Sequence, residues 1–296
     1  MNQAIIDIGS NSMRLTVYHV EGREFEILFK QKAMSGLAGY VENGRLTDEG
    51  IEVAVAGLIG FRDTLRSLRF SNYSVFATAS LRNIENSREA TETISARTGM
   101  QIEILSGEEE ANLGYLGAMQ EFQLTEGIFV DIGGASTEIV TFQKGNIRTA
   151  DSYQIGSLKL YRDCVEKILP EHDEVKDLKK QIGHAMNKSA FDEKKDDVIF
   201  VGGTARAVLK ISQRVCGISA GERVIDRKQF GEVYTALSAA PRQVADLILK
   251  TEPERIHTMI PGFMIMKHIV EKSDVRAIYV GRYGVREGYL CEKIWK

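Results

Sequence analysis

The chain has 296 residues, 43% hydrophobic and 27% charged, with 38 basic against 41 acidic side chains and a formal net charge of −3. At about 150 residues per domain this reads as two ordinary globular domains. A stapled miniature scaffold, a disordered chain and a strongly basic nucleic-acid binder are excluded. No apolar run reaches the ~18 residues of a membrane span, and Met1–Ile5 has no basic stretch leading into an apolar segment. A cytoplasmic protein with neither nucleic-acid nor membrane partners is expected. Cys164, Cys216 and Cys291 lie far apart without a Cys-x-x-Cys pair and read as reduced thiols. Residues 1–124 carry 11 basic and 17 acidic side chains, the remainder 27 and 24, so the second part is the more favourable to an anion.

Ala4–Ile8 is an apolar run ended by Gly9, and Arg14–Val20 alternates like a half-buried strand, so a tight polar loop joins two strands; Glu24–Lys30 continues as a third. Thr47 caps a helix to Leu68, with Ile51, Val55, Leu58, Ile59 and Leu65 at helical spacing. A strand at Tyr73–Ala77, a helix over Arg88–Thr98 and a strand at Gln101–Leu105 follow. Ser106-x-x-Glu109 is a capping box that opens a helix to about Phe122.

The pattern then restarts. Gly127–Asp131 is an apolar run, Gly133-Gly134 a turn, Glu138–Phe142 the returning strand and Ile147–Tyr153 the third. Helices are expected at Ser157–Leu169 and Asp173–Ala190, then a strand at Val198–Val201 whose Gly202-Gly203 turn opens a helix over Ala205–Gln213. Asp226-x-x-Gln229 caps another helix, Pro241 suits a first turn, and Pro261–Lys272, Ala277–Val280 and Gly284–Cys291 read as helix, strand and helix. The echo of Ile5–Ser12 in Phe129–Ser136 implies an internal duplication: two α/β lobes, 1–124 and 125–296, with the last helix able to pack back on the first.

A strand that delivers Asp and then turns through Gly and small hydroxyl residues gathers backbone N–H groups and a carboxylate at one point. Glycine lets the backbone approach a phosphate, hydroxyls add donors, and the Asp can hold a divalent cation. One such loop reads as an ordinary glycine turn. Two loops, with Val201-Gly-Gly-Thr204 as a third turn, resemble the phosphate loops of the actin-like superfamily. In Ser106-Gly-Glu-Glu-Glu110, Glu109 folds back on the cap and leaves Glu110 free at the fourth helical position, where the helix field favours an ionised carboxylate.

Six stretches in order carry a closer resemblance: Asp7–Arg14, Ala77–Asn83, Leu105–Ala111, Asp131–Glu138, Gly202–Arg206 and Tyr283–Gly288. On these the chain resembles the exopolyphosphatase and guanosine pentaphosphate phosphohydrolase family in a short two-lobe form. The resemblance implies two actin-like, ribonuclease H-like α/β lobes of mixed sheet around a cleft. It implies hydrolysis of the terminal phosphoanhydride of polyphosphate, or of guanosine pentaphosphate, with Mg²⁺ or Mn²⁺, by a homodimer. Glu110 would be the base for water, and Asp131 and Glu138, with Asp7, would hold the metal. Phosphate binding would fall to Ser10, Asn11, Ser12, Arg82, Gly133, Gly134, Ser136, Thr137, Gly203 and Thr204. Two departures stand out. Ala135 replaces a usual third glycine, and Thr78-Ala-Ser80 reorders a usual Thr-Ser-Ala.

Other classes fit less well. Gly217-Ile-Ser-Ala-Gly221 matches a nucleophile-elbow pattern, with Asp226, His257 and His268 downstream, yet lacks the strand before and helix after it. The five histidines, His19, His172, His184, His257 and His268, have no zinc-ligand spacing, and neither a Walker loop nor a dinucleotide fingerprint is present. A kinase of the same superfamily and a non-catalytic nucleotide or phosphate sensor remain as alternatives.

Overall fold

The computed structural model describes residues 1–187, 195 and 197–295. They divide into two compact units, residues 1–110 with 289–296, and residues 111–288. Each is built on a mixed sheet.

The first unit opens with β1 (Asn2–Ile8), β2 (Ser12–Glu21) and β3 (Glu24–Met34), followed by a small ladder of β4 (Val41–Glu42) and β5 (Arg45–Leu46). Helix α1 (Asp48–Ser67) begins where Thr47 accepts the Gly50 amide and ends at Leu68. Strand β6 (Tyr73–Ala77), the short α2 (Ala79–Arg82), α3 (Ser87–Thr98) and β7 (Glu103–Ile104) lead to α4 (Gly107–Ala118). The sheet order is β3-β2-β1-β6-β7. Its alternating apolar residues Ile6, Ile8, Leu15 and Val17 bury against Ile51, Val55 and Leu58 of α1 and Ile94 of α3.

The second unit contains β8 (Glu126–Ile132), β9 (Thr137–Gln143), β10 (Asn146–Tyr153), α5 (Ser157–Cys164), α6 (His172–Ala185), β11 (Asp197–Val201) and α7 (Gly202–Cys216). It continues with β12 (Val224–Asp226), α8 (Arg227–Leu237), α9 (Pro241–Thr251), α10 (Met259–Lys272), β13 (Ala277–Val280) and α11 (Val285–Tyr289). The sheet order is β10-β9-β8-β11-β13-β12. Its first five positions repeat the first sheet, including two antiparallel pairings followed by two parallel ones. The duplication read from the sequence is therefore a duplication of topology.

The division falls at Glu110/Ala111 rather than at Leu124, because Ala111, Tyr115 and Ala118 of α4 pack on Phe129 and Val140 of the second sheet. Helix α5 stops at Cys164, short of Leu169, where Val165 turns extended; α4 likewise ends at Ala118 rather than Phe122. The expected end of the sixth helix at Ala190 lies outside the described residues. Tyr289 stacks on Phe76 at 5.1 Å between ring centroids, and a π-helical stretch, Leu290–Ile294, follows it.

Candidate active site

The two hairpins close in the same way. The Gly9 amide donates to the Ser12 carbonyl at 3.3 Å, and 124 residues on, the Gly133 amide donates to the Ser136 carbonyl at 2.9 Å. A Cβ on either glycine would sit 3.0 Å from that carbonyl, a tight approach that glycine relieves in both turns. In the second hairpin the N-terminus of α5 takes up the carbonyls: Ser157 donates to Gly133, and Leu158 and Lys159 donate to Gly134. Gly156 permits this approach, since a Cβ there would meet the Gly134 carbonyl at 2.5 Å. The amides of Gly134, Ala135 and Ser136 have no protein acceptor among the described residues, and unengaged turn amides of this kind are available to an anion. Ala135 is not among the described non-glycine residues with positive φ, so its methyl group imposes no left-handed strain.

In the first unit Ser10 and Ser12 are buried, and the carbonyls of Ser10 and Asn11 accept from Ala38, Ser35 and Gly36. The Ser80 hydroxyl donates to the Ile8 carbonyl, tying α2 to the end of β1. Arg82, the last residue of α2, donates through one Nη to the Leu105 carbonyl at 2.9 Å and to Glu110 Oε2 at 2.8 Å. Its other Nη is buried and meets no acceptor among the described residues.

The capping box at Ser106 forms as read, with the Ser106 amide 2.8 Å from Glu109 and the Glu109 amide 3.1 Å from the Ser106 hydroxyl. The Ser106 amide, with the hydroxyl behind it, lowers the Glu109 pKa below the ordinary carboxylate value. Glu108 and Glu109 are exposed and Glu110 is buried. Glu110 is not left free, as the cap geometry alone implied: Arg82, 28 residues earlier, holds it.

In the second unit, antiparallel pairing sets Asp131 opposite Glu138 and Glu138 opposite Ser152, so the three project from one face in a row across β8, β9 and β10. Glu138 is 1% exposed and accepts from the Ser152 hydroxyl at 2.8 Å. The equivalent row in the first unit sets Asp7 opposite Arg14. The duplicated hairpin thus offers an Asp–Glu pair in one copy and an Asp–Arg pair in the other. Two oxygen ligands from adjacent strands suit a hard cation that takes its remaining ligands from water and phosphate. No cluster of three or more potential metal ligands occurs among the described residues.

Asp131 is bounded by glycines. Gly202 has φ +85°, and a Cβ there would lie 2.5 Å from Asp131 Oδ1; one on Gly284 would lie 3.8 Å from Oδ2. A Cβ on Gly203 would lie 1.5 Å from an Nη of Arg255, so that guanidinium rests directly on the third glycine turn. Neither Arg255 nor Ser152 carries a sequence signal: each reaches the site only through tertiary pairing. Two predicted hydroxyls turn inward instead. Thr137 donates to the Ile155 carbonyl at 2.6 Å, and buried Thr204 packs on Gly262 with its Oγ1 unpartnered among the described residues. Ser219 follows the left-handed end of α7 at Gly217 and precedes a strand, which is not an elbow.

Amide-lined turns bind anions, and a mixed α/β protein that closes two glycine hairpins alike, the second beside the buried Glu138, falls in a class suited to handling phosphate. A family model described as the Ppx/GppA phosphatase family matches residues 16–296, and the chain belongs to that family, whose members are phosphoanhydride hydrolases. It is 26% identical over 308 residues to an uncharacterised protein of Streptomyces coelicolor, covering 99% of this chain and 90% of that one. It is 35% identical over 139 residues to the guanosine-5'-triphosphate,3'-diphosphate pyrophosphatase of Pseudoalteromonas atlantica, covering 46% of this chain and 28% of that enzyme. The solved structure of an exopolyphosphatase from Cytophaga hutchinsonii matches with a TM-score of 0.85 at 19% identity, over 98% of this chain and 96% of that one, a likeness of fold. No helix among the described residues is long and apolar enough to cross a membrane.

Proposed function

We propose that this chain is an exopolyphosphatase, hydrolysing the terminal phosphoanhydride of inorganic polyphosphate to release orthophosphate. The observation that carries the reading is Glu110, the buried carboxylate of an acidic triplet, held by the Arg82 guanidinium. A carboxylate so fixed is suited to orient a water and accept its proton. Water oxygen bonds to the terminal phosphorus as the anhydride P–O bond breaks. Glu110 takes the proton, and a chain shorter by one phosphate leaves. Within the second unit, the unengaged amides of Gly134, Ala135 and Ser136 would hold phosphoryl oxygens. Asp131 and Glu138 would carry Mg²⁺ or Mn²⁺, which supplies neutralisation of phosphate charge when bound. Asp7, opposite Arg14, is the weaker metal candidate of the three.

Guanosine pentaphosphate is the second reading, favoured by the 35% identity to the Pseudoalteromonas atlantica enzyme. Both substrates present a terminal phosphoanhydride to the same groups. The reading includes residence in the cytoplasm as a homodimer, the latter testable by light scattering. The deciding assay is Mg²⁺-dependent orthophosphate release from short polyphosphate, long polyphosphate and guanosine pentaphosphate side by side. Release from polyphosphate is expected. Release from guanosine pentaphosphate alone would move the chain to the second reading, and release from none would leave the kinase or sensor alternatives.

A further inference from the structure

We infer that Ser152 is a positioning residue for the metal-binding carboxylate Glu138, an inference that rests on the role given to Glu138 above. Three observations carry it. Register sets Ser152 on β10 directly opposite Glu138, and its hydroxyl donates to Oε1 at 2.8 Å. Glu138 is 1% exposed, so an ionised carboxylate there depends on protein donors rather than on bulk water. The face that carries both also carries Phe129 and Val140, on which Ala111, Tyr115 and Ala118 of α4 pack, so the pair lies on the packed side of the sheet.

The segment after Ser152 extends the same function. Ile155 accepts from the Thr137 hydroxyl at 2.6 Å, and Ser157 donates through its amide and its hydroxyl to the Gly133 carbonyl. Residues 152–157 therefore bind, at one end, the carboxylate opposite Asp131 and, at the other, the carbonyl side of the glycine turn. A hydroxyl that fixes one carboxylate oxygen restricts the geometry in which the group meets a cation, and partners of this kind tune metal affinity about 10- to 100-fold.

The test is Mn²⁺ binding to the full chain, read from loss of the free-ion electron paramagnetic resonance signal, for wild type, Ser152→Ala, Ser152→Thr, Glu138→Gln and Thr149→Val. Thr149 pairs with Thr141 by a 2.8 Å hydroxyl contact on the opposite face of the same two strands, so its loss reports a purely structural effect. Ser152→Ala is expected to weaken Mn²⁺ about tenfold. Ser152→Thr, which keeps the hydroxyl, and Thr149→Val should bind as wild type does. Wild-type binding by Ser152→Ala, or equal weakening in Ser152→Ala and Thr149→Val, would overturn the inference alone. Wild-type affinity in Glu138→Gln, or no uptake by wild type, would overturn the metal role of Glu138 and the inference with it.

Discussion

Arg82 and Glu110 meet at 2.8 Å with 15% and 9% of their side chains exposed, a pair shielded enough for each to depend on the other. A double-mutant cycle with Arg82→Ala and Glu110→Gln should return a coupling of about 1–3 kcal/mol by denaturant unfolding, and additive losses would contradict the pairing. Asp131→Asn is expected to raise the Mg²⁺ concentration needed for half-maximal turnover; an unchanged metal titration would remove Asp131 from that role. Burial, aided by Glu232, pushes the Cys216 thiol up to about 11, so it should resist alkylation at neutral pH in the folded chain and react on unfolding. These contacts were unequally legible in the sequence. Cap rules placed Glu109 correctly and singled out Glu110, because capping is local. They could not show that Arg82 reaches Glu110, that Ser152 faces Glu138, or that the Thr137 and Thr204 hydroxyls turn inward, since register and tertiary packing decide those.

Glycines determine how the elements approach. A Cβ on Gly117 of α4 would lie 2.0 Å from the Gly284 carbonyl oxygen, and one on Gly288 would lie 1.8 Å from that of Leu113. The helix that presents Glu110 is thereby held against the backbone of the Tyr283–Gly288 motif. Gly117→Ala is expected to cost about 1–3 kcal/mol, seen as a lowered Tm, and a wild-type Tm would show that the helices can separate freely. The motif was visible in the sequence, but its packing partner was not, because Gly117 has no distinguishing context. The glycine turns, Thr47, the Asp226 box and Pro241 were legible as element starts for the opposite reason: their signals lie within a few residues of the structure they cause.

On the scale of the whole chain, a β-hairpin sheet occurs twice with one strand order, and the copies differ in the residue opposite the first strand's aspartate: Arg14 faces Asp7, and Glu138 faces Asp131. The duplication was readable because each copy kept its Asp-x-Gly turn. The C-terminal residues are held in the first unit by Tyr289, whose hydroxyl lies 2.7 Å from Glu103. Burial, reinforced by Glu103, pushes the Tyr289 phenol up to about 12 from 10.0. Its contribution to stability is complete below pH 10 and is lost as pH climbs through about 12, so Tyr289→Phe should flatten alkaline unfolding across that window. An unchanged profile would assign the transition to other groups. The most direct test of the central claim, that Glu110 is the base of a phosphoanhydride hydrolase, is orthophosphate release by Glu110→Gln measured beside its polyphosphate binding. The account predicts that turnover falls by orders of magnitude while binding persists; turnover equal to wild type would contradict it.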